Sequence, residues 1–156
     1  MRQFNTFYLD EALFGIDIFL VRELNRLLQF TPVPDGPEHV KGLLNLRGQV
    51  ITVFDLGKRL GMPGRKISSK TRNIILKTDT ETAVYRRNQW LDISIGDDPV
   101  GFLVDRIGDV VEVEEGKIQS PPANAGDIAT EFVSGVVELP ENLLILLNVT
   151  RLVGEP

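Results

Sequence analysis

The stretch GLLNLRGQVITVFDL, residues 42–56, determines how the rest of the sequence is interpreted. Two apolar runs flank an Arg-Gly pair, and the second run, QVITVF, is apolar on both of the faces that a strand presents. This pattern is typical of a strand that is buried on both sides. The stretch therefore predicts two strands joined by a tight turn at Arg47-Gly48, where Gly48 can supply a positive φ.

Segments elsewhere in the chain also have the composition of short strands separated by turn residues. They are QFNTFYL, ALFGIDI, RNIILKT, QWLDISI, VGFLVD and DVVEV. Two segments, IFLVRELNRLL and PEHVKGLL, are predicted as short helices, and a final helical turn is predicted after Val149. Many short strands with little helical periodicity indicate an all-β protein. A strand count near nine or ten favours two small barrels packed together, with an approximate boundary in the 61–72 loop.

The composition places the chain among globular proteins of ordinary core size. It has 156 residues, of which 42% are hydrophobic and 25% are charged. The absence of cysteine excludes disulfides and a thiolate nucleophile. The N-terminal residues lack the apolar run of a signal peptide, and no apolar run approaches the length of a membrane span. We therefore expect a cytoplasmic location and no direct membrane insertion.

Charge is distributed unevenly along the chain, although the net charge is only −5. Residues 41–72 contain eight basic side chains and one acidic side chain, Asp55, whereas residues 73–156 contain six basic and fifteen acidic ones. Such asymmetry favours a partner of opposite charge or contacts between the oppositely charged ends of neighbouring molecules. For residues 58–72 alone, a solvated loop between strands is the simpler interpretation.

The sequence offers no recognisable catalytic or metal-binding constellation. His39 is the single histidine, and it has no partner at a metal-ligand spacing. No nucleophile elbow, P-loop or dinucleotide-binding glycine motif is present. We therefore expect no enzymatic activity, no metal and no cofactor, and we interpret His39 as a surface or capping residue.

Nucleic-acid binding is the alternative function that small β-barrels make necessary to test. Such sites combine a basic groove with exposed aromatic rings that stack on bases. The basic segment 58–72 contains no aromatic residue, and the chain is acidic overall. A small β-barrel nucleic-acid-binding protein is therefore kept as the alternative, and no nucleic-acid partner is expected.

Four segments together resemble the CheW-like domain family of bacterial chemotaxis. They are FGIDIFLVREL, TPVPDGPEHVKGLLNLRGQVITVFDLGKRLGMP, VGFLVDRIGDVVEV and FVSGVVELPENLLILLNVTRLV, and they cover nearly the whole chain in the family's order. The resemblance implies a single domain, 1–156, made of two SH3-like five-stranded β-barrels with short helices and a groove between them. It also implies a non-catalytic adaptor that couples the cytoplasmic tips of chemoreceptors (methyl-accepting chemotaxis proteins) to the regulatory domain of the histidine kinase CheA, at membrane receptor arrays.

The resemblance also implies which residues contact the receptor, because the family's groove positions can be matched to this sequence. The matching residues are Val21, Glu23, Gly42, Arg47, Gly101, Asp109 and Val110. No kinase-binding residue can be matched in the same way.

Two interpretations of Arg47 are equally open. In the first, its guanidinium stands at the rim of an apolar groove and forms a charge-assisted bond to a docking helix. In the second, it forms an internal salt bridge with Glu23 or Asp55 that only orders the hairpin. The segment around residues 78–94 departs from the family pattern, and its function cannot be read from the sequence.

Overall fold

The computed structural model describes residues 1–87, 96–121 and 130–154, and within these ranges it contains ten strands and three short α-helices. The strands are β1 (Arg2–Leu9), β2 (Ala12–Asp17), β3 (Val21–Asn25), β4 (Val40–Leu46), β5 (Gln49–Asp55), β6 (Arg72–Leu76), β7 (Val100–Val104), β8 (Arg106–Val113), β9 (Val133–Glu138) and β10 (Leu143–Leu147). The α-helices are α1 (Leu56–Arg59), α2 (Asp79–Arg87) and α3 (Val149–Val153), and 3-10 turns lie at Ile18–Leu20, Glu115–Lys117 and Thr130–Phe132.

The strands form two five-stranded sheets. The first sheet has the order β8-β1-β2-β10-β9, and the second has the order β3-β6-β7-β5-β4. The predicted all-β class with two five-stranded units is therefore confirmed. The approximate boundary in the 61–72 loop does not divide these units, because β5 and β6 on either side of the loop both belong to the second sheet. The chain begins in the first sheet, builds the second and then returns.

Each sheet curls so that its two edges approach each other without forming a continuous ladder. In the second sheet, Thr31, which follows the edge strand β3, forms an isolated bridge with Leu43 in the other edge strand, β4. In the first sheet, Gln119, which follows β8, forms the corresponding bridge with Val136 in β9. These bridges satisfy edge groups that would otherwise face solvent.

The two longer helices predicted from sequence are wrong. Within the first segment, helix is limited to the 3-10 turn Ile18–Leu20, and the chain then pairs as β3 with β6. The second segment enters β4, where burial alternates along the strand as it does in a sheet. Pairing with distant strands overrides local helical preference in both places. The helical turn predicted after Val149 is confirmed as α3, whereas the strand predicted at residues 89–95 lies outside the described residues.

Three groups of apolar side chains fill the molecule. One lies within the curl of the first sheet: Phe4, Leu13, Val113, Val137, Leu144 and Leu146. A second lies within the curl of the second sheet: Leu44, Leu46, Ile51, Val53, Ile75 and Leu103. The third and largest is shared by both sheets and includes Phe7, Phe14, Phe54, Phe102 and Leu147. We call it the shared core, and it makes the two sheets a single hydrophobic unit.

Arg65 adds a polar connection between the sheets. Its side chain is only 5% exposed, and Nη1 lies 3.0 Å from Asp10 Oδ1 and 3.1 Å from Asp105 Oδ2. Asp10 lies in the turn between β1 and β2 of the first sheet, and Asp105 lies where the chain passes from β7 to β8. The remaining guanidinium nitrogens donate to the Pro63 carbonyl oxygen. A single side chain thus joins the 61–72 loop to both sheets.

The loop itself is held against α1 by Asp55 and Gly57. Asp55 Oδ2 accepts a bond from the Arg65 N–H, and Oδ1 accepts one from the Lys58 N–H at the start of α1. An added Cβ at Gly57 would lie 2.5 Å from Arg65 Nε, so only glycine leaves room for the guanidinium. The Asp-Leu-Gly sequence that begins at the last residue of β5 therefore caps α1 and leaves space for the buried arginine.

Replacing Arg65 by Met should destabilise the protein by about 2 kcal/mol, because methionine cannot replace the bonds that the buried guanidinium donates to two carboxylates and to the Pro63 carbonyl oxygen. The measurement is urea unfolding followed by circular dichroism. The control is Lys66→Met, which removes an exposed charge from the neighbouring position and should change stability by less than about 0.5 kcal/mol. Equal effects of the two substitutions would contradict the role assigned to Arg65.

Candidate functional site

The hairpin between β4 and β5 turns within two residues, Arg47 and Gly48. Both have positive φ, +51° for Arg47 and +83° for Gly48, and Leu46 pairs with Gln49 across the turn. This conformation matches the twist of the flanking strands. Asn45 Oδ1 accepts a bond from the Gly48 N–H at 3.1 Å. The predicted turn and the positive φ of Gly48 are confirmed, and the positive φ of Arg47 was not foreseen.

Arg47 extends from this turn to the opposite edge of the second sheet and pairs with Glu23 of β3. The arginine side chain is 71% exposed and the glutamate 25% exposed, so much of the guanidinium faces solvent. Of the two internal partners considered for Arg47, Glu23 is therefore the one found. The Asp55 carboxylate is instead occupied by the Lys58 and Arg65 N–H groups.

A second polar link lies beside this pair. Arg22 donates from Nη1 to Gln49 Oε1 at 2.7 Å and from Nε to Glu81 Oε2 at 3.1 Å. It thereby connects β3 to the hairpin and to α2. We call Arg22, Glu23, Arg47, Gln49 and Glu81 together the hairpin rim.

The ionisation of Glu81 depends on this arrangement. Its partial burial alone would raise the pKa, but hydrogen bonds from Arg22 and Thr78 outweigh burial, so the pKa lies below its ordinary value. Glu81 Oε1 accepts from the Thr78 N–H and hydroxyl at 3.1 and 3.2 Å. The ionised form is thus the form that the folded hairpin rim favours.

Two of the predicted receptor-contact residues, Gly42 and Gly101, lie in one transverse row of the second sheet. Strand pairing places the row in the order Glu23, Ile75, Gly101, Val53 and Gly42. Ile75 and Val53 are fully buried within the curl of the sheet. The two glycines therefore share a row with Glu23 of the hairpin rim but face the interior.

Close packing explains why both positions are glycine. Gly42 has a φ of +154°, and an added Cβ would lie 2.7 Å from the Thr31 carbonyl oxygen. At Gly101, an added Cβ would lie 2.9 Å from Ile75 Cδ1. A contribution of these glycines to receptor contact stays a prediction, and on this geometry it would act through the packing of the sheet. A charged side chain introduced at Gly42 would therefore disturb the packed interior of the second sheet instead of an open groove.

The other predicted contact residues are Val21, Asp109 and Val110. Val21, at the start of β3, is half-buried and packs on the shared core. Asp109 and Val110 are exposed on β8, an edge strand of the first sheet, and Val110 is 50% exposed. The Asp109 carbonyl oxygen accepts a bond from the Thr6 hydroxyl. Five of the seven predicted residues therefore belong to the second sheet and two to the first.

Arg22, Gln49 and Glu81 of the hairpin rim were missed in the sequence. Arg22 and Glu81 are separated by 59 positions, and no local spacing predicts that they meet. His39 was also misjudged in part, because its half-buried ring packs edge-on against Phe54 with centroids 4.9 Å apart. Burial, followed by the nearby Arg59 charge, lowers the pKa of His39.

Residues 1–87, 96–121 and 130–154 contain neither a grouped set of metal ligands nor a membrane-spanning helix. There, no three His, Cys, Asp or Glu side chains are grouped so as to hold a metal ion. In the same ranges, none of the helices has both the length and the apolar character needed to cross a membrane.

The protein is thus an all-β protein in which two five-stranded sheets share one core. At the hairpin rim, Arg47 in an exposed turn pairs with Glu23 on the opposite edge strand of the same sheet. The chain belongs to the CheW-like domain family, whose sequence profile matches residues 3–156.

Individual relatives agree with this assignment. The chain is 31% identical to the chemotaxis protein CheW of Treponema pallidum over 150 residues, which cover 96% of this chain and 81% of that protein. It is 26% identical to the protein FrzA of Myxococcus xanthus, with coverage of 97% and 84%. The crystal structure of the scaffolding protein TtCheW from Thermoanaerobacter tengcongensis is similar with a TM-score of 0.79 and 30% identity, and the match covers 97% of this chain and 86% of that one.

Gly42→Ala should destabilise the protein by about 2 kcal/mol, because the new methyl group must displace the backbone at Thr31. Gly116→Ala is the matched control, since nothing lies within 4 Å of a Cβ added there. Thermal unfolding of both variants measures the difference. If Gly42→Ala is as stable as Gly116→Ala, the close contact with Thr31 is absent in solution.

Glu81→Gln should lower stability at neutral pH, with an effect that shrinks as the pH falls. Since the folded-state pKa lies below the ordinary value of 4.5, the ionised carboxylate stabilises the fold above that value. This contribution is lost as the pH falls through the lowered pKa. Urea unfolding of wild type and variant at several pH values between neutrality and pH ~3 measures the effect. A difference that stays constant over this range would contradict the stated ionisation of Glu81.

Proposed function

We propose that this protein is a non-catalytic adaptor that couples the cytoplasmic tips of chemoreceptors to the histidine kinase CheA. Membership of the CheW-like domain family supports the proposal, as do the names of relatives, which include chemotaxis proteins and a scaffolding protein. In this role the protein is cytoplasmic, associates with membrane receptor arrays, and needs no cofactor.

The observation that carries the receptor-binding part is the exposed Arg47–Glu23 pair. An ion pair in contact with solvent contributes only about 0–1 kcal/mol to folding, so Arg47 can change partner without loss of the fold. A guanidinium offers several N–H donors in a planar fork, which suits carboxylates and helix-terminal carbonyl groups. The hairpin rim is thus able to exchange its internal contact for one with a docking helix.

Apolar side chains beside charged ones supply the rest of the contact. Val110 on β8 is exposed although it is apolar, and Val50 next to the hairpin turn is also exposed. A helix that lies in a groove is held by apolar anchors, and surrounding charges fix its register. In this proposal Val21, Glu23, Gly42, Arg47, Gly101, Asp109 and Val110 form or support the receptor contact.

The kinase partner is expected to use another face of the protein. The regulatory domain of CheA carries the same CheW-like domain in the family, so the proposed contact is between similar β units. The basic residues concentrated in 41–72 and the acidic residues in 73–156 suit association between oppositely charged surfaces. No residue of this chain is assigned to the kinase contact.

Arg47→Ala should weaken coupling by about tenfold, equivalent to about 1.4 kcal/mol, and leave thermal stability nearly unchanged. The measurement is co-sedimentation with receptor-containing membranes, together with CheA autophosphorylation with and without the adaptor. Arg26→Ala is the matched control, because Arg26 is also exposed but lies outside the hairpin rim.

Two results would count against the proposal in different ways. If wild-type protein neither sediments with receptors nor changes kinase activity, the adaptor role itself is wrong. If wild type couples normally but Arg47→Ala loses stability and keeps full coupling, Arg47 serves only to order the hairpin. In the first case, a fluorescence titration with single-stranded oligonucleotide tests the alternative of a nucleic-acid-binding barrel.

A further inference from the structure

The 61–72 loop contains four basic residues and has no part in the receptor contact proposed above. Among them, Arg65 forms intramolecular ion pairs with Asp10 and Asp105. Lys66 and Lys70 are exposed. Arg72 starts β6, and its Nη1 donates to the Ser69 and Thr71 carbonyl oxygens at 3.0 and 2.8 Å.

The fold brings a further cation, Arg106, to this loop from a different sheet. Arg106 starts β8 of the first sheet, and its guanidinium carbon lies 3.6 Å from the centre of the Tyr8 ring. Lys66, Lys70 and Arg106 line one hollow, and Lys70, Arg72 and Arg106 line the adjoining one. We call Lys66, Lys70, Arg72 and Arg106 the basic patch.

The charge of the basic patch is not neutralised by the part of the chain that the structure describes. None of its four side chains has a carboxylate partner within salt-bridge distance there. The two carboxylates in the hollow, Asp10 and Asp105, are both engaged by Arg65. Of the charged side chains that line the first hollow, four are cationic (Arg65, Lys66, Lys70 and Arg106) and two are anionic (Asp10 and Asp105), so positive charge remains in excess there.

The basic patch is distant from the hairpin rim. β5 and β7 run parallel, with Thr52 opposite Val100 and Asp55 opposite Leu103. Arg72 pairs with Val104, which lies at the Asp55 end of the sheet, whereas the Arg47 turn precedes the opposite end. A ligand on the patch can thus bind independently of one at the rim.

We propose that the basic patch binds an acidic segment of a partner protein. Two guanidinium groups and two ammonium groups offer charge-assisted bonds to several carboxylates at once. Pro63 and Ile107 border the hollows and provide apolar contact for the side chains between those carboxylates.

Other polyanions fit less well. A single-stranded nucleic acid requires rings on which bases stack, and the ring at this surface, Tyr8, is already covered by Arg106. The net charge of −5 also repels an extended nucleic acid or an anionic membrane more than it repels a short acidic segment. This inference concerns a surface separate from the hairpin rim, and its test does not depend on the receptor contact.

Fluorescence anisotropy with a labelled octaglutamate peptide tests the inference. Wild-type protein should bind the peptide saturably, and Lys70→Glu and Arg106→Glu should each weaken binding by about tenfold. Lys117→Glu makes the same charge change at an exposed lysine outside the patch and should alter binding by less than about twofold. Circular dichroism checks that each variant is folded, and the exposed Lys70 provides a variant whose fold is at little risk.

Three outcomes would overturn the inference. The first is no saturable binding of octaglutamate to wild-type protein. The second is equal weakening by Lys117→Glu, which would indicate general electrostatic attraction and no defined site. The third is tighter binding of oligothymidylate or phosphatidylserine vesicles through the same residues, which would assign the patch to a nucleic acid or a membrane surface instead of a protein.

Discussion

The hydrophobic contact between the two sheets is the interaction on which the rest of this structure depends. Phe7 and Phe14 from the first sheet and Phe54 and Phe102 from the second are all buried in the shared core. Burying a side chain of this size contributes about 1.5–3 kcal/mol, so the shared core outweighs any single polar contact. Because the chain leaves the first sheet after β2 and returns to it at β8, the first sheet is built from two separate segments, whereas the second sheet is one continuous segment, β3 to β7, inserted between them.

Polar contacts then fix the arrangement that the shared core stabilises. Arg65 joins the turn after β1 to the link before β8, and Arg59 donates to the Leu152 and Gly154 carbonyl oxygens at the end of α3. Directional bonds of this kind add specificity to an apolar contact that is itself non-directional. They hold the exposed strand β8 of the first sheet in a fixed relation to the second sheet, as a binding surface built from both sheets requires.

The sequence predicted those parts of the fold that are determined locally. The hairpin at Arg47-Gly48 follows from the apolar runs on either side of this pair and from a glycine that accepts positive φ. The helices predicted at Ile18–Leu28 and Pro37–Leu44 were wrong because β3 and β4 acquire their conformation from distant partners. The strand count and the resemblance to the family both predicted two units, whereas the order of the strands within each sheet depends on tertiary pairing.

The candidate site was predictable to a similar degree. The Arg47–Glu23 pair was considered as one of two possibilities, and the structure contains it. The inward direction of Gly42 and Gly101 follows from the register of the whole second sheet, which local spacing does not reveal. The burial of Arg65 and the arrival of Arg106 beside Lys70 likewise depend on packing between sheets.

Native-state hydrogen exchange tests most directly the claim that both sheets form one cooperative unit. Amides in the central strands β1 and β2 of the first sheet and β6 and β7 of the second are followed at increasing denaturant concentration. The shared core predicts that the slowest amides of all four strands exchange through one global opening, with the same free energy. A first sheet that opens at much lower free energy than the second, or the reverse, would contradict the account, because the sheets would then be separately stable units.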